Sequence, residues 1–435
     1  MFSRSMANGK IGAVTCTAIV VANMIGTGVF TSLGFQVGPL PSGFAILLVW
    51  VLGAAFALCG ALAYAELAAA LPRSGGEYNF LSRIYHPAIG FMAGTVSATV
   101  GFAAPVALAS MAFGQYAHHL LPGVAPVAIS LAIASLVAGV HLISIRSSQT
   151  FQNAFTLLKI SLIVVLIGVG FSMGSSVGTT FAPSEGDGGL ILSAPFAVAL
   201  MYVMYSYSGW NASTYIIGEV RDPVRNVPLS LLLGTAVVGV LYVLLNAVFL
   251  KTVPMSDLAG KVDVGNAAAA AIFGPRGGQI MSGLIALGLI SAISAMTWAG
   301  PRVAATIGED FRSLRVLARR TRGGIPFVAC ALQYVIVVAL LLTAAFEDVL
   351  IYTQFALVAC SLLTVVGLFV LRWREPELPR PFRCWGYPLT PSVFAAIALF
   401  SLLYTTIERP VQAAFGALTL ATGFGLYFAG RAAKR

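Results

Sequence analysis

Ala22-Asn23-Met24-Ile25-Gly26-Thr27-Gly28-Val29-Phe30 interrupts an apolar run that begins near residue 11. Two glycines flanking a β-branched threonine are poor helix material. The run around them is nevertheless long enough to cross a bilayer as a helix. An unwound backbone in hydrocarbon leaves N–H and C=O groups unpaired, and it persists only where protein or a watery cavity supplies partners. A second place of the same kind is Tyr205-Ser206-Tyr207-Ser208-Gly209-Trp210-Asn211, again small, polar and glycine-containing inside an apolar segment.

Outward from these two breaks, apolar stretches of about 20 residues recur along the whole chain, each long enough for a transmembrane helix. They read as spans at 11–37, 44–71, 88–118, 125–145, 149–172, 192–219, 228–252, 278–301, 325–346, 349–371, 388–407 and 411–430, twelve in all. The period-two alternation of membrane β-barrel strands is missing. Of the 435 residues 58% are hydrophobic and 9% charged, against about 25% charged in a soluble domain. The expected fold class is therefore an all-α polytopic membrane protein, a single transmembrane domain over 1–435.

The broken spans are the first and the sixth. They are five spans apart, and five is odd, so the two sets of five helices run in opposite senses. That is the arithmetic of an inverted repeat, 11–172 and 192–371, with 388–430 as two extra helices and the functional site at the breaks.

Charge placement orients the chain. Of the 25 Lys and Arg, 20 fall at one set of loops and ends and only 4 (Lys251, Lys261, Arg276, Arg409) at the other, with Lys159 inside a span. The positive-inside rule puts both termini in the cytoplasm. The net charge of +10 then belongs to topological anchors near anionic lipid, and no nucleic-acid face is expected. The basic start (Arg4, Lys10) precedes a run too long for a signal sequence and reads as an uncleaved first span. Five scattered cysteines without a C-x-x-C pair read as packing residues, so neither a metal site nor a cofactor is expected.

The breaks suggest a chemistry. N–H groups at a half-helix N-terminus carry partial positive charge and hold a carboxylate, while free carbonyls of an opposing half-helix hold an ammonium. An α-amino acid carries both groups side by side. The acidic residues fit this economy: Glu66 and Glu219 fall near span ends and the others in loops or flanks. Lys159 is the exception, about ten residues into its span and so roughly 15 Å deep. Burying it costs about 2.5 kcal/mol or more unless carbonyls or water solvate it. It is too deep to snorkel to the interface, which leaves two roles open, a proton carrier or a fixed cationic pin. His86, His118, His119 and His141 all fall near span ends or in loops and read as interfacial. Tyr202, Tyr205 and Tyr207 do not share a helical face. With no deep acidic residue near the breaks, neutral amino acids, bulky apolar ones among them, or related amines fit best. A membrane-embedded enzyme would need facing nucleophile–base or metal-ligand residues, and a channel a repeated filter segment; neither pattern is present in the sequence.

These motifs together resemble the amino acid–polyamine–organocation superfamily, nearest its L-type (light-subunit-like) and bacterial amino-acid permease branches. Met24 to Phe30, MIGTGVF, is similar to its first-span motif G-S-G-[IV]-F. Tyr64-Ala65-Glu66-Leu67 with Pro72-Arg73-Ser74-Gly75-Gly76-Glu77-Tyr78 is similar to YAEL…P-[RK]-S-GG-[DE]-Y. Gln152 followed by Lys159, Tyr205 to Asn211 followed by Glu219 to Pro228, and the stretch ending ELPRPFRCWGYP at Pro388 match in order. The resemblance implies a LeuT-like fold and a secondary amino-acid transporter working by alternating access, either a proton symporter or an exchanger, with a polyamine carrier of the same fold as the alternative. It implies that N–H groups around Gly26, Thr27 and Gly28 take the substrate carboxylate. Carbonyls of Met24, Ile25, Tyr205 and Ser208, with Gly209 beside them, take its ammonium. Tyr205 closes the site outward, and Lys159 stands where sodium sits in sodium-coupled relatives, so transport is expected to be sodium-independent. The expected place is a bacterial inner membrane. Ser294 replaces the asparagine frequent in L-type members, and Gly308-Glu309-Asp310 replaces R-[ED]-G. The loop HHLLPGVAP lacks the cysteine that joins animal light subunits to a heavy chain, so no such partner is expected.

Overall fold

A computed structural model describes residues 11–143, 149–322 and 324–432. Among these residues the regular structure is helical, and the single β-bridge joins Ile11 to Val220. The first predicted span is two helices on one line, α1 (Ala13–Met24) and α2 (Gly28–Thr31), with Leu33–Gln36 continuing the path. The chain returns as α3 (Gly43–Ala70), capped where Ser42 Oγ accepts the Ala45 N–H at 3.1 Å. A short helix α4 (Gly76–Ile84) leads to α5 (Pro87–His118), which starts with Pro87 at its first position behind a His86 cap. Then come α6 (Pro126–Ile143), α7 (Gln149–Ser172) and α8 (Ala194–Tyr207). A 3₁₀ segment, Ala212–Glu219, follows α8. The remainder is α9 (Pro223–Thr252), α10 (Val264–Asp310), α11 (Phe327–Thr343), α12 (Phe346–Arg374), α13 (Leu389–Glu408) and α14 (Pro410–Ala432).

Among the described residues nine helices are long and apolar enough to cross a membrane, and α6 and α11 are shorter apolar helices. The sixth predicted span falls on α8 and its 3₁₀ extension. Two features differ from expectation. The predicted span 278–301 is the middle of α10, which starts earlier and bends at Gly274 (φ 77°), just before Pro275. The span 88–118 contains a π-helical turn, Ser97–Gly101. Of the basic residues used for orientation, Arg4, Lys10, Arg146, Lys434 and Arg435 lie outside the described residues.

The core is aromatic where α3, α8 and α9 meet. Trp50 packs edge-on against Tyr207 and Tyr242, with ring centroids 6.0 Å apart in both pairs. α13 and α14 expose Leu403, Ile407, Val411 and Phe415, the faces a bilayer would cover.

One end of the bundle gathers Ile11, the end of α3 and the end of α14; this is the terminal side. There Ile11 N–H donates to Glu219 O (2.9 Å) and Arg221 N–H to Ile11 O (2.8 Å), tying the start of the first span to the far end of the sixth. Glu66, at the end of α3 with its side chain 1% exposed, takes Arg372 through two bonds of 2.8 and 2.6 Å. The Cys384 N–H adds a third at 2.7 Å. The Arg372 guanidinium also lies over the Tyr387 ring. The segment ELPRPFRCWGYP thus wraps over a buried carboxylate.

Candidate functional site

Both predicted breaks exist. The backbone leaves helix at Ile25–Thr27 between α1 and α2, and at Ser208–Asn211 between α8 and the 3₁₀ segment. They face each other. A Cβ on Gly28 would sit 2.5 Å from Ser206 Cα, so only glycine lets α2 approach α8 this closely. Gly209 takes φ +99°, and a Cβ there would meet the Asn23 backbone at 2.8 Å. The two breaks are therefore fitted against one another by glycines, one for closeness and one for both closeness and dihedral.

Between them lies a cavity of about 700 Å³. Of the sequence-predicted residues, Met24, Ile25, Gly26, Thr27, Gly28, Tyr205, Ser208, Gly209 and Lys159 all line it. Among the described residues no carbonyl takes the N–H of Thr27 or Gly28, which leaves two donors at the start of a half-helix, the arrangement suited to an anion. The carbonyls are more engaged. Met24 O accepts both the Tyr242 hydroxyl (2.7 Å) and the Gly26 N–H (2.8 Å), and Tyr205 O accepts the Ser208 N–H (3.0 Å). Ile25 O accepts Lys159 Nζ at 2.6 Å.

Lys159 is 5% exposed. Its amine does not turn to the interface; it closes onto the first break, giving an otherwise orphaned carbonyl a charged donor. Ser294 is elsewhere. Its Oγ bonds His141 Nε2 at 2.9 Å, and it is not part of the cavity wall; Ser291, one turn earlier on α10, is.

Tyr205 Oη lies 3.0 Å from Thr27 Oγ1, bridging the two breaks. Past that bridge, away from the terminal side, the path is filled. Ser206 Oγ donates to Ser32 Oγ (3.0 Å), and the Tyr116 hydroxyl donates to Phe30 O (2.8 Å). The three tyrosines do diverge: Tyr202 donates to Glu347 (2.5 Å) and Tyr207 to Trp50 O (3.2 Å). Towards the terminal side the cavity continues to Tyr215, Arg302 and Glu77.

Several wall residues escaped the sequence reading. Gln354 on α12 accepts Ser208 Oγ–H at 3.1 Å in the wall, and Tyr242 on α9, behind the wall, holds the Met24 carbonyl. The π turn Ser97–Gly101 contributes both of its ends to the wall; such turns frequently mark functional sites. Arg302 stacks over Trp298 at 3.9 Å. Glu77, read as a loop residue, is 3% exposed, so the premise that no acid lies near the breaks does not hold. Burial raises its carboxyl above the usual range, and hydroxyls of Tyr64 and Ser361 pull the other way. Its place in the motif PRSGGEY was the available signal.

Comparison with known proteins agrees with this architecture. A family model described as amino acid permease matches residues 11–428. The Asc-type amino acid transporter 1 of Mus musculus is 27% identical over 97% of this chain and 81% of its own length. The b(0,+)-type amino acid transporter 1 of Homo sapiens is 24% identical, over 96% and 87%. The large neutral amino acids transporter small subunit 2 of Homo sapiens is 26% identical, over 97% and 80%. The facing breaks, the cavity between them and a match running nearly end to end place this multi-pass membrane protein in the amino acid permease family of the amino acid–polyamine–organocation superfamily.

Proposed function

We propose that this permease carries zwitterionic α-amino acids by alternating access, without sodium, either in exchange for another amino acid or with a proton. The observation that carries the reading is the first break itself: free N–H groups at Thr27 and Gly28 facing the cavity, with Lys159 held on the adjacent Ile25 carbonyl. The N–H pair suits the substrate carboxylate, and the remaining lone pairs of the break carbonyls, together with Tyr205 and Ser208, suit its ammonium. An ammonium already seated on Ile25 O takes the place a coupling sodium would need. In this reading 11–172 and 192–371 are the two inverted halves, the protein sits in a bacterial inner membrane with both ends in the cytoplasm, and the cavity faces the cytoplasm. The Tyr205–Thr27 bridge is its outward closure.

The test is uptake of radiolabelled amino acids into proteoliposomes, with sodium gradients, proton gradients and internal unlabelled amino acid imposed separately. Uptake that requires internal amino acid identifies an exchanger, and uptake driven by external acid a symporter. An absolute sodium requirement, or no uptake of any α-amino acid, sinks the reading.

A further inference from the structure

Glu77 is a buried charge that the zwitterion chemistry above does not use. It lies in the first turn of α4, and its Oε1 accepts two hydroxyls, Tyr64 Oη of α3 at 2.5 Å and Ser361 Oγ of α12 at 2.8 Å. Among the described residues no arginine or lysine pairs with it. The Tyr64 ring packs edge-on against Trp210, centroids 4.7 Å apart, inside the second break. A Cβ on Gly76 would come within 2.7 Å of the Tyr215 ring, so the start of α4 also rests on the 3₁₀ half of that break.

Glu77 therefore joins α3, α12 and the second break at the terminal end of the cavity. The far end is filled by the Tyr205, Ser206 and Phe30 contacts. A contact made in one state and lost in the other biases a carrier toward the state that has it, by its own free energy. We infer that Glu77 is a positioning residue which, by holding Tyr64 and Ser361 on one oxygen, favours the state open on the terminal side. The inference rests on the alternating-access reading. Glu77 acts through Tyr64 and Ser361 and need not touch the substrate.

Hydrogen–deuterium exchange of the full chain in nanodiscs tests it, comparing wild type with Glu77→Ala, Tyr64→Phe and Glu77→Gln. Loss of a hydrogen bond to a charged group shifts a two-state equilibrium by about tenfold or more. In Glu77→Ala and Tyr64→Phe, exchange is expected to slow by about tenfold in 212–219 and to quicken by about tenfold in 30–36 and 258–265. Glu77→Gln keeps an oxygen that accepts both hydroxyls and should stay within about threefold of wild type. A merely structural role would quicken exchange at both ends together, and that outcome, or no change in Tyr64→Phe, overturns the inference. Uptake measured on the same wild-type preparation separates the two failures. If no amino acid is taken up, the carrier reading falls and the inference with it. If uptake is normal while both ends change alike, only the inference falls.

Discussion

At the scale of single residues, the site is defined by what glycine omits and what one lysine supplies. Gly28 leaves room for Ser206 Cα at a distance no Cβ tolerates. Gly28→Ala should therefore push α2 off α8, separate Thr27 from Tyr205 and lower the initial rate of amino-acid uptake by at least about tenfold; Gly28→Val should abolish it. Overpacking of this kind costs about 1–3 kcal/mol, so the variant is expected to fold, and unchanged substrate affinity would remove the first break from the site. Lys159 supplies the charged donor to Ile25 O. Lys159→Met keeps the stem that packs beside Gly288, where a Cβ would lie 3.0 Å from Lys159 Cγ, and deletes only the amine. The Ile25 carbonyl then lacks its charged donor. Uptake should fall by about tenfold or more at every pH tested, because a pin is lost in all states; a variant that loses only its dependence on external acid would instead make Lys159 the proton carrier.

At the scale of elements, the hub on Glu66 explains why the segment after α12 folds back. Glu66 is buried, and the partners that make its burial tolerable come from α12 (Arg372) and from the wrapped segment (Arg380 and the Cys384 N–H). Removing one partner of a buried ion pair costs about 3–5 kcal/mol, because the other charge is left uncompensated. Glu66→Ala should lower the unfolding temperature in detergent and free the wrapped segment, seen as faster alkylation of Cys384, which is buried in the intact protein. Unchanged alkylation would show that the segment is held by something else. The elements also show what a sequence can and cannot say. The breaks at Ile25–Thr27 and Ser208–Asn211 were legible because glycine and small polar residues inside an apolar run have few structural meanings. The placement of Glu77 was not, since helix propensity and hydropathy report on a segment's own solvent preference and α4 is short and polar; only its docking under the cavity buries the carboxyl. Gln354 was hidden for a related reason. On helices that are apolar all round, periodicity does not say which face meets a cavity. Ser294 stood at a motif position, yet its hydroxyl is taken by His141.

At the scale of the whole molecule, the cavity opens on the side where most of the basic residues lie. The cavity reaches Glu77 and Arg302 on the terminal side, where Arg372, Arg374, Arg380 and Arg83 also lie. Lys251 and Arg409 are at the opposite end of α9 and α13. Basic loops are retained on the cytoplasmic side during insertion, so the terminal side should be cytoplasmic and the cavity open inward. A fluorescent protein that matures only in the cytoplasm, fused after Arg435, should then be bright, and a phosphatase that folds only outside should be active when inserted near Lys261. The fusions decide more than topology. If the phosphatase is active at Arg435 instead, the same structure is an outward-open carrier, and the Tyr205–Thr27 bridge becomes the inner closure. The bilayer then sets the functional meaning of the structure, because an inverted pair of half-helices looks alike from either face and only the 20-to-4 asymmetry of charge distinguishes them.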